Sequence, residues 1–224
     1  MPDVGWGVEM DNKIRLRFSK TDTLRFIGHL DFLRVFQQTI RRSGLPIAYS
    51  QGFNPHQILS FALPLPLGME SINDYADITL TAEIPGDEVI NRINNCVPRG
   101  LHILAAYKAI GQNSAAATTA ADYVITTDIQ KEFLSETTKR ILESETLVIP
   151  KKTKSGVKNT DIRPDIFDIQ IADGNLQLRL SAGSARFLNP LLAAEQVIGE
   201  TPCASTVSRV ELYQSDGKGG LLPL

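Results

Sequence analysis

The 224-residue sequence has few of the residues that build disulfide-linked, metal-binding or membrane-spanning proteins. Its two cysteines, Cys96 and Cys203, are too few for a disulfide framework and too far apart for a zinc or iron–sulfur site. No apolar stretch reaches the roughly 20 residues of a transmembrane helix. The first residues, MPDVGWGVEMDNK, lack the regions of a signal peptide. These absences predict a cytoplasmic protein with reduced thiols and no membrane association.

Motifs for common enzyme chemistry are also missing. The sequence has no Walker loop, no G-x-G-x-x-G and no Ser/Cys–His signature. It therefore predicts no metal and no cofactor. The composition, 42% hydrophobic and 21% charged, is that of an ordinary globular protein.

The charged residues are unevenly distributed, although the net charge is only −2. Between Lys13 and His56, eight lysines and arginines stand against two acids, whereas residues 57–110 carry three basic and six acidic residues. Clustered positive charge in a near-neutral chain favours a specific anionic partner over indiscriminate polyanion binding. The alternative is that these arginines are solvated or paired on the surface.

Hydrophobic periodicity predicts the element order β-α-β-β-α-β in the first half. The alternation in KIRLRFSK predicts a strand, and apolar residues at helical spacing predict a helix between a cap at Gly28 and a stop at Gly44. The remaining elements of this half are predicted as strands at 47–50, 74–84 and 101–110 and a helix at 85–97.

The same order recurs after residues 111–121, whose small polar composition is typical of a linker. The second half is predicted to contain strands at 123–129, 146–150 and 205–214, helices at 130–145 and 186–199, and a hairpin at 165–181 turning at Asp173-Gly174-Asn175. The sequence therefore predicts an α+β protein of two tandem ferredoxin-like halves. The predicted domains are 12–110 and 122–214, with a loosely held tail at 215–224.

His29 and His56 are the candidate catalytic residues, because metal-free RNA cleavage needs a base and an acid. His29 shares a helical side with Phe36 and Ile40, which favours a packed structural histidine. His56 lies in a turn, where structural and catalytic roles are both open. A metal site of His29, Asp31 and His56 is a weaker alternative, because residues two apart point to different sides of a helix.

The segment SQGFNPH, residues 50–56, predicts a rigid turn, because Gly52 permits a positive φ and Asn54 precedes a proline. Phe53 has two interpretations. It is either buried as the anchor of the turn, which is slightly favoured, or it stacks a base while Arg41 and Arg42 hold phosphates.

Two further segments of the chain are basic. On the first strand, Arg15 or Arg17 is predicted to pair with Asp77 across the sheet. Residues 151–164 are predicted as a basic loop that either clamps a phosphate backbone or is merely solvated. The complete set of predicted nucleic-acid contacts is Lys20, Arg25, Arg34, Arg41, Arg42, Tyr49, Phe53, Asn54, Lys151, Lys152, Lys154 and Lys158.

Distinctive segments stand close together in the first half: FSK, RFIGHLD, RRSGLPIAYSQGFNPH and SFALPLPLG. With DIRP at 161–164, they resemble the radical-SAM-linked protein family, a domain of unknown function. In that family the domain is fused behind a B12-type radical SAM domain or encoded separately, often near genes for ribonuclease E/G and a ribosomal protein. The resemblance implies a stand-alone version, since the radical SAM cysteine triad is missing. It also implies an association with RNA metabolism, and it supplies no catalytic residues.

The tandem plan is also similar to that of the CRISPR repeat-processing endoribonucleases, which hold RNA with paired ferredoxin-like domains. Their glycine-rich C-terminal loop has no clear counterpart, because GKGG lies at the extreme end of this chain.

The favoured prediction is an RNA-binding or substrate-presenting module that acts with a radical SAM protein on structured RNA such as tRNA or rRNA. The alternatives are a metal-independent endoribonuclease that uses His56 with His29 and a protein–protein adaptor that docks an acidic partner.

Overall fold

The computed structural model describes residues 12–109, 117–126, 131–153, 156–199 and 206–224, apart from the side chains of 131–133 and 152–153. It is a mixed α+β structure whose described residues form two compact units. The first unit contains residues 12–67 and 74–109, and the second contains 68–73 and the described residues from 117 onward. Residues 111–116 of the predicted linker, and residue 110 before them, lie outside the described residues.

The first unit has the predicted order of strands and helices. Its elements are β1 (Lys13–Lys20), α1 (His29–Arg42), β2 (Leu59–Phe61), β3 (Glu70–Thr79, whose first residues belong to the second unit), α2 (Gly86–Asn94) and β4 (Leu101–Lys108). The strands lie in the order β4-β1-β3-β2.

The core of the first unit forms where the apolar side of α1 meets the sheet. Phe32, Phe36 and Ile40 of α1 are buried with Leu16 and Phe18 of β1, as the periodicity predicted. The rings of Phe18 and Phe36 lie 5.2 Å apart between centroids, a distance at which aromatic pairs attract one another. This packing fixes the side of α1 that remains toward solvent.

Both predicted helix boundaries of α1 are confirmed. Gly28 is the N-cap, and its carbonyl oxygen accepts a 2.9 Å hydrogen bond from the Phe32 amide. Gly44 follows the last turn with a φ of +67°, a left-handed conformation that glycine adopts at little cost.

The prediction of a continuous strand at 47–50 is wrong. Ile47 and Tyr49 make only isolated bridges, to Leu80 and Gln57, and the strand that pairs with β3 is β2. The chain therefore re-enters the sheet only after the turn at 51–56.

The described part of the second unit contains a set of paired main strands, two helices and a separate hairpin. Its elements are β5 (Thr118–Thr126), α3 (Lys131–Glu143), β6 (Val148–Thr153), β7 (Gly156–Asp161), β8 (Ile166–Ala172), β9 (Asn175–Ser181), α4 (Pro190–Ile198), β10 (Val207–Ser215) and β11 (Leu221–Pro223). The main strands lie in the order β10-β5-β9-β8, while β6 and β7 pair only with each other. β5 begins at Thr118, so residues 118–121 of the predicted linker lie in a strand.

The predicted hairpin of β8 and β9 is confirmed together with its turn. Asp173 and Gly174 both have positive φ, and Ala172 pairs with Asn175. A two-residue Asp-Gly loop with this backbone matches the twist of the two strands.

The tail at 215–224 was predicted to be loosely held, but it folds back onto the sheet. β11 pairs antiparallel with β10 from Ser215 to Tyr213. The Asp216 carboxylate closes the connecting turn by accepting hydrogen bonds of 2.7 Å from the amides of Lys218 and Gly220. This local acceptor satisfies the turn backbone and brings β11 into register.

The basic segment at 151–164 was predicted as a loop, but most of it lies in a hairpin. Residues 148–153 of β6 pair with residues 156–161 of β7 along six positions. The prediction failed because the lysines interrupt any apolar alternation, while the stability of the ladder comes from backbone hydrogen bonds that residue type does not reveal.

The predicted pairing of the first strand with Asp77 is confirmed for Arg15. Arg15 Nε and Nη2 donate to the two oxygens of Asp77 at 2.9 and 3.3 Å, and Lys13 Nζ lies 2.9 Å from one of them. Because Arg15 and Asp77 are both buried, this pair belongs to the structural framework and not to an exposed site.

Candidate nucleic-acid interface

The turn at 51–56 is closed at its base by polar contacts. The Ser50 amide donates to the His56 carbonyl at 2.8 Å, and the His56 amide donates to Ser50 Oγ at 3.1 Å. Ser50 Oγ also lies 2.8 Å from His56 Nδ1. Gly52 has a φ of +132°, which other residues rarely adopt. The turn is therefore held in one shape without an apolar anchor.

The prediction that Phe53 is buried as that anchor is wrong. Its relative exposure is 105%, as much as in an extended peptide, and Asn54 and Pro55 beside it are also exposed. The physical reason is that the Ser50–His56 contacts already hold the turn, so packing of the ring is not required. An apolar ring in this position is free to stack on a flat partner.

The turn is attached directly to α1. Gln57, which follows it, is buried, and its side-chain amide donates to the Gln37 carbonyl of α1 at 3.3 Å. The adjacent bridge between Tyr49 and Gln57 fixes both arms of the turn. Tyr49 is itself exposed, so the attached turn presents two aromatic rings to solvent.

The arginines of α1 differ in how they are held. Arg34 and Asp31 form an exposed ion pair at 2.9 Å, which offsets the charge of Arg34 locally. Arg42 donates to the Cys96 carbonyl at 2.8 Å, so its guanidinium is oriented but keeps its charge. Arg41 is exposed in the last turn. Arg41 and Arg42 therefore supply the positive charge at this end of the helix, where the helix dipole also favours it.

Lys20 does not belong to a surface for nucleic acid, contrary to the prediction. It is 1% exposed, its ammonium group donates to the Ile27 carbonyl at 3.2 Å, and Nζ lies 4.7 Å from the centroid of the Phe32 ring. These contacts compensate in part for the loss of water around the charge. A buried ammonium group cannot contact phosphate directly.

Arg25 is half-buried and stacks over the exposed ring of Phe26, with Cζ 4.7 Å from its centroid. Its charge therefore lies close to the surface, in the segment that precedes α1.

The two histidines have different environments. His29 begins α1 and packs edge-on against Phe61, with 5.7 Å between ring centroids, which agrees with the packed interpretation. His56 is exposed and contacts Ser50. Within the described part of the chain, no group of three His, Cys, Asp or Glu residues is arranged to hold a metal ion, so His29, Asp31 and His56 do not form the alternative metal site.

Two of the predicted lysines of the second unit, Lys151 and Lys158, lie on the β6–β7 hairpin. Lys151 and Lys158 are directly opposite each other across the two strands. The backbone of Lys152 lies in β6, but its side chain and all of Lys154 lie outside the described residues.

The sequence did not reveal a polar cluster in the second unit formed by Asp122, Arg179 and Tyr213. Arg179 Nε and Nη2 donate to the two oxygens of Asp122 at 2.7 and 2.8 Å, and the Tyr213 hydroxyl donates to Asp122 at 2.8 Å. The Arg179 guanidinium also stacks over the Tyr213 ring, with Cζ 4.7 Å from the ring centroid. The sequence indicates only that Arg179 is a charged residue within a predicted strand and that Asp122 directly precedes another. Whether they meet depends on the register of β5 against β9.

This cluster borders a shallow depression of about 90 Å³ that is also lined by Asp168, Gln170 and Gln177. The depression is lined by the carboxylates of Asp122 and Asp168 and by one arginine, Arg179. Its net negative charge would repel a phosphate group. The cluster is therefore part of the framework of the sheet, which Asp122 and Arg179 connect across directly paired positions of β5 and β9.

The cluster predicts a pH dependence. Burial, followed by the hydrogen bond to Asp122, raises the pKa of Tyr213 from 10.0 to about 12. Because the folded state favours the protonated phenol, its contribution to stability is complete below pH 10 and is lost as the pH rises through about 12. An ultraviolet titration of tyrosinate should show one component near pH 12 that disappears in Tyr213→Phe. An unchanged titration curve in that variant would contradict the assignment.

None of the helices in the described ranges is long and apolar enough to cross a membrane. No curated protein matches the chain. Among solved structures, a crystal structure of a Cbf5-Nop10-Gar1 complex is similar over 95% of this chain and 55% of that chain, at 8% identity and a TM-score of 0.45. The chain thus spans about half the length of that solved chain, and a likeness at this level says nothing about function. Residues 13–190, more than half of the chain, match the family described as an uncharacterized protein conserved in bacteria (DUF2344), and the chain belongs to that family.

Proposed function

We propose that this protein is an RNA-binding module without catalytic activity of its own, which presents structured RNA such as tRNA or rRNA to a radical SAM enzyme. The observation that carries the proposal is the fully exposed Phe53 on a turn whose shape is fixed and which is attached to α1. An aromatic ring held in this way stacks on an unpaired base at little entropic cost.

Positive charge on α1 supports the choice of RNA as the partner. Arg41 and Arg42 are exposed, and the tip of the turn, residues 51–56, has no acidic residue. Guanidinium groups bind phosphate, and an aromatic ring stacks on bases of any sequence. The combination is typical of proteins that bind single-stranded segments and loops of RNA.

The strand orders support a finer description of the fold as two tandem ferredoxin-like units. β4-β1-β3-β2 in the first unit and β10-β5-β9-β8 in the second are the same order, with helices after the first and third strand of each. In this description β6 and β7 are an insertion between the first helix and the second strand of the second unit.

The proposed radical SAM partner rests on the sequence segments FSK and RFIGHLD. The proposed cytoplasmic location rests on the reduced state expected for the two cysteines.

The charge of α1 gives a direct prediction. Arg41→Gln should weaken binding to a structured RNA and reduce the steepness of the dependence of log K on log salt by about 0.7 to 0.9, the value for one lost phosphate contact. Filter binding at several salt concentrations measures both quantities.

The matched control is Arg92→Gln, because Arg92 is exposed on α2 in the same unit and pairs with Glu88. It removes the same charge and should leave the slope unchanged. Equal effects of the two variants would contradict a specific role for α1. The RNA recovered from these assays should be intact, whereas cleaved RNA would favour the endoribonuclease alternative with His56.

A further inference from the structure

The β6–β7 hairpin is fixed at its base, and β7 is exposed from residue 156 to 159. Asp161 Oδ1 accepts hydrogen bonds from the amides of Leu147 at 2.8 Å and Arg163 at 3.1 Å. The Arg163 guanidinium donates to the carbonyls of Leu142 and Ile166 at 2.9 and 2.8 Å. These four bonds attach the base of the hairpin to the end of α3 and the start of β8.

Away from the base, the described side chains of β7 from residue 156 to 159 are exposed, and Lys151 opposite them on β6 is partly exposed. Val157 is 66% exposed, and Lys158 and Asn159 next to it are exposed as well. Of the described side chains of the hairpin, Ile149 near the base is the deeply buried one. The hairpin therefore has a firm attachment and a surface that the described residues of its own unit leave largely uncovered.

The charge on this surface is of one sign. Lys151 and Lys158 occupy directly opposite positions, and among the residues the structure describes neither is paired with a carboxylate. Like charges directly opposite each other in a ladder destabilise it. The one acid of the hairpin, Asp161, uses its carboxylate on backbone amides at the base. An anion placed across the two ammonium groups would remove this repulsion.

We propose that the hairpin binds the phosphodiester backbone of RNA through Lys151 and Lys158, a proposal that rests on the proposed function. Lysine ammonium groups bind phosphate as point charges in many orientations. The described side chains of the hairpin include no aromatic ring that would stack on a base. The contact is therefore independent of sequence and differs in kind from that of Phe53.

The test is the double variant Lys151→Gln, Lys158→Gln in the full chain. Its RNA affinity at low salt should fall, and the salt slope should become shallower by about 1.4, the value for two lost contacts with a single strand. Oligoribonucleotides of different sequence should lose the same factor. The control Lys139→Gln, Lys218→Gln removes the same charge from two exposed positions of the same unit and should change neither quantity.

The outcomes separate the two proposals. If the wild-type protein binds no RNA, the proposed function fails and this assignment fails with it. If Phe53→Ala weakens binding while the hairpin variant behaves like its control, only the assignment of the hairpin fails. Because removal of a like-charge pair does not destabilise the ladder, the melting temperature of the hairpin variant should not fall. Lys151→Arg, Lys158→Arg should retain both affinity and slope.

Discussion

Asp77→Ala is expected to lower the free energy of unfolding by about 3 to 5 kcal/mol, the cost of breaking a buried ion pair by removing one partner. The Asp77 side chain is 1% exposed and accepts two hydrogen bonds from Arg15. The ammonium group of Lys13 lies 2.9 Å from one of its oxygens. The variant leaves the guanidinium of Arg15, which is also buried, without this carboxylate. The loss of hydration around that charge is then no longer compensated by the pair.

Urea denaturation followed by circular dichroism measures this effect. The matched control is Asp31→Ala, which also breaks an aspartate–arginine pair in the first unit, but at an exposed position. It should change the free energy of unfolding by about 0 to 1 kcal/mol. If both variants lowered the free energy of unfolding by the same small amount, burial would not determine the strength of these pairs. That result would contradict the structural role of Arg15 and Asp77.

Phe53→Ala is expected to weaken RNA binding by about 1 to 3 kcal/mol, the contribution of one stacked base. This corresponds to about a 5- to 150-fold increase in Kd. The stability of the fold should not change, because the ring is fully exposed and the turn is closed by Ser50 and His56. Fluorescence anisotropy with a labelled oligoribonucleotide measures the change in Kd.

The control for this prediction is Phe167→Ala. Phe167 is an exposed phenylalanine in the second unit, so its truncation removes a similar apolar group from the surface. Its effect on Kd should be negligible. A similar loss in both variants would show that general surface hydrophobicity, and not the turn, determines binding.

Features that depend on local rules were predictable from the sequence. The buried side of α1 follows from the spacing of Phe32, Phe36 and Ile40, and its ends follow from Gly28 and Gly44. The hairpin of β8 and β9 follows from Asp173-Gly174. Each of these depends on residues close together in the chain.

The burial of Lys20 was also predictable in principle. Alternation in β1 places Lys20 on the same face as Leu16 and Phe18, which is the buried face. Charge alone places Lys20 with the surface arginines and takes no account of this periodicity. The alternation thus predicts burial better than residue type does.

Other features depend on contacts distant in sequence. The exposure of Phe53 follows from the bond between Ser50 and His56, and composition does not show whether a turn is closed by such a bond or by packing. Asp122 and Arg179 are 57 positions apart in the chain, and their pairing depends on the register of the strands that carry them. Register and closure are set by the whole unit and are therefore not visible in short segments.

A single tryptophan at the tip of the turn would report contact between the turn and RNA. The chain has one tryptophan, Trp6, so the double variant Trp6→Phe, Phe53→Trp places the only indole at position 53. Stacking of a base on this indole should quench its fluorescence as an oligoribonucleotide is added, with the midpoint shifting to higher RNA concentration as salt is raised. Unchanged emission at RNA concentrations that saturate binding would contradict the claim that the turn contacts RNA.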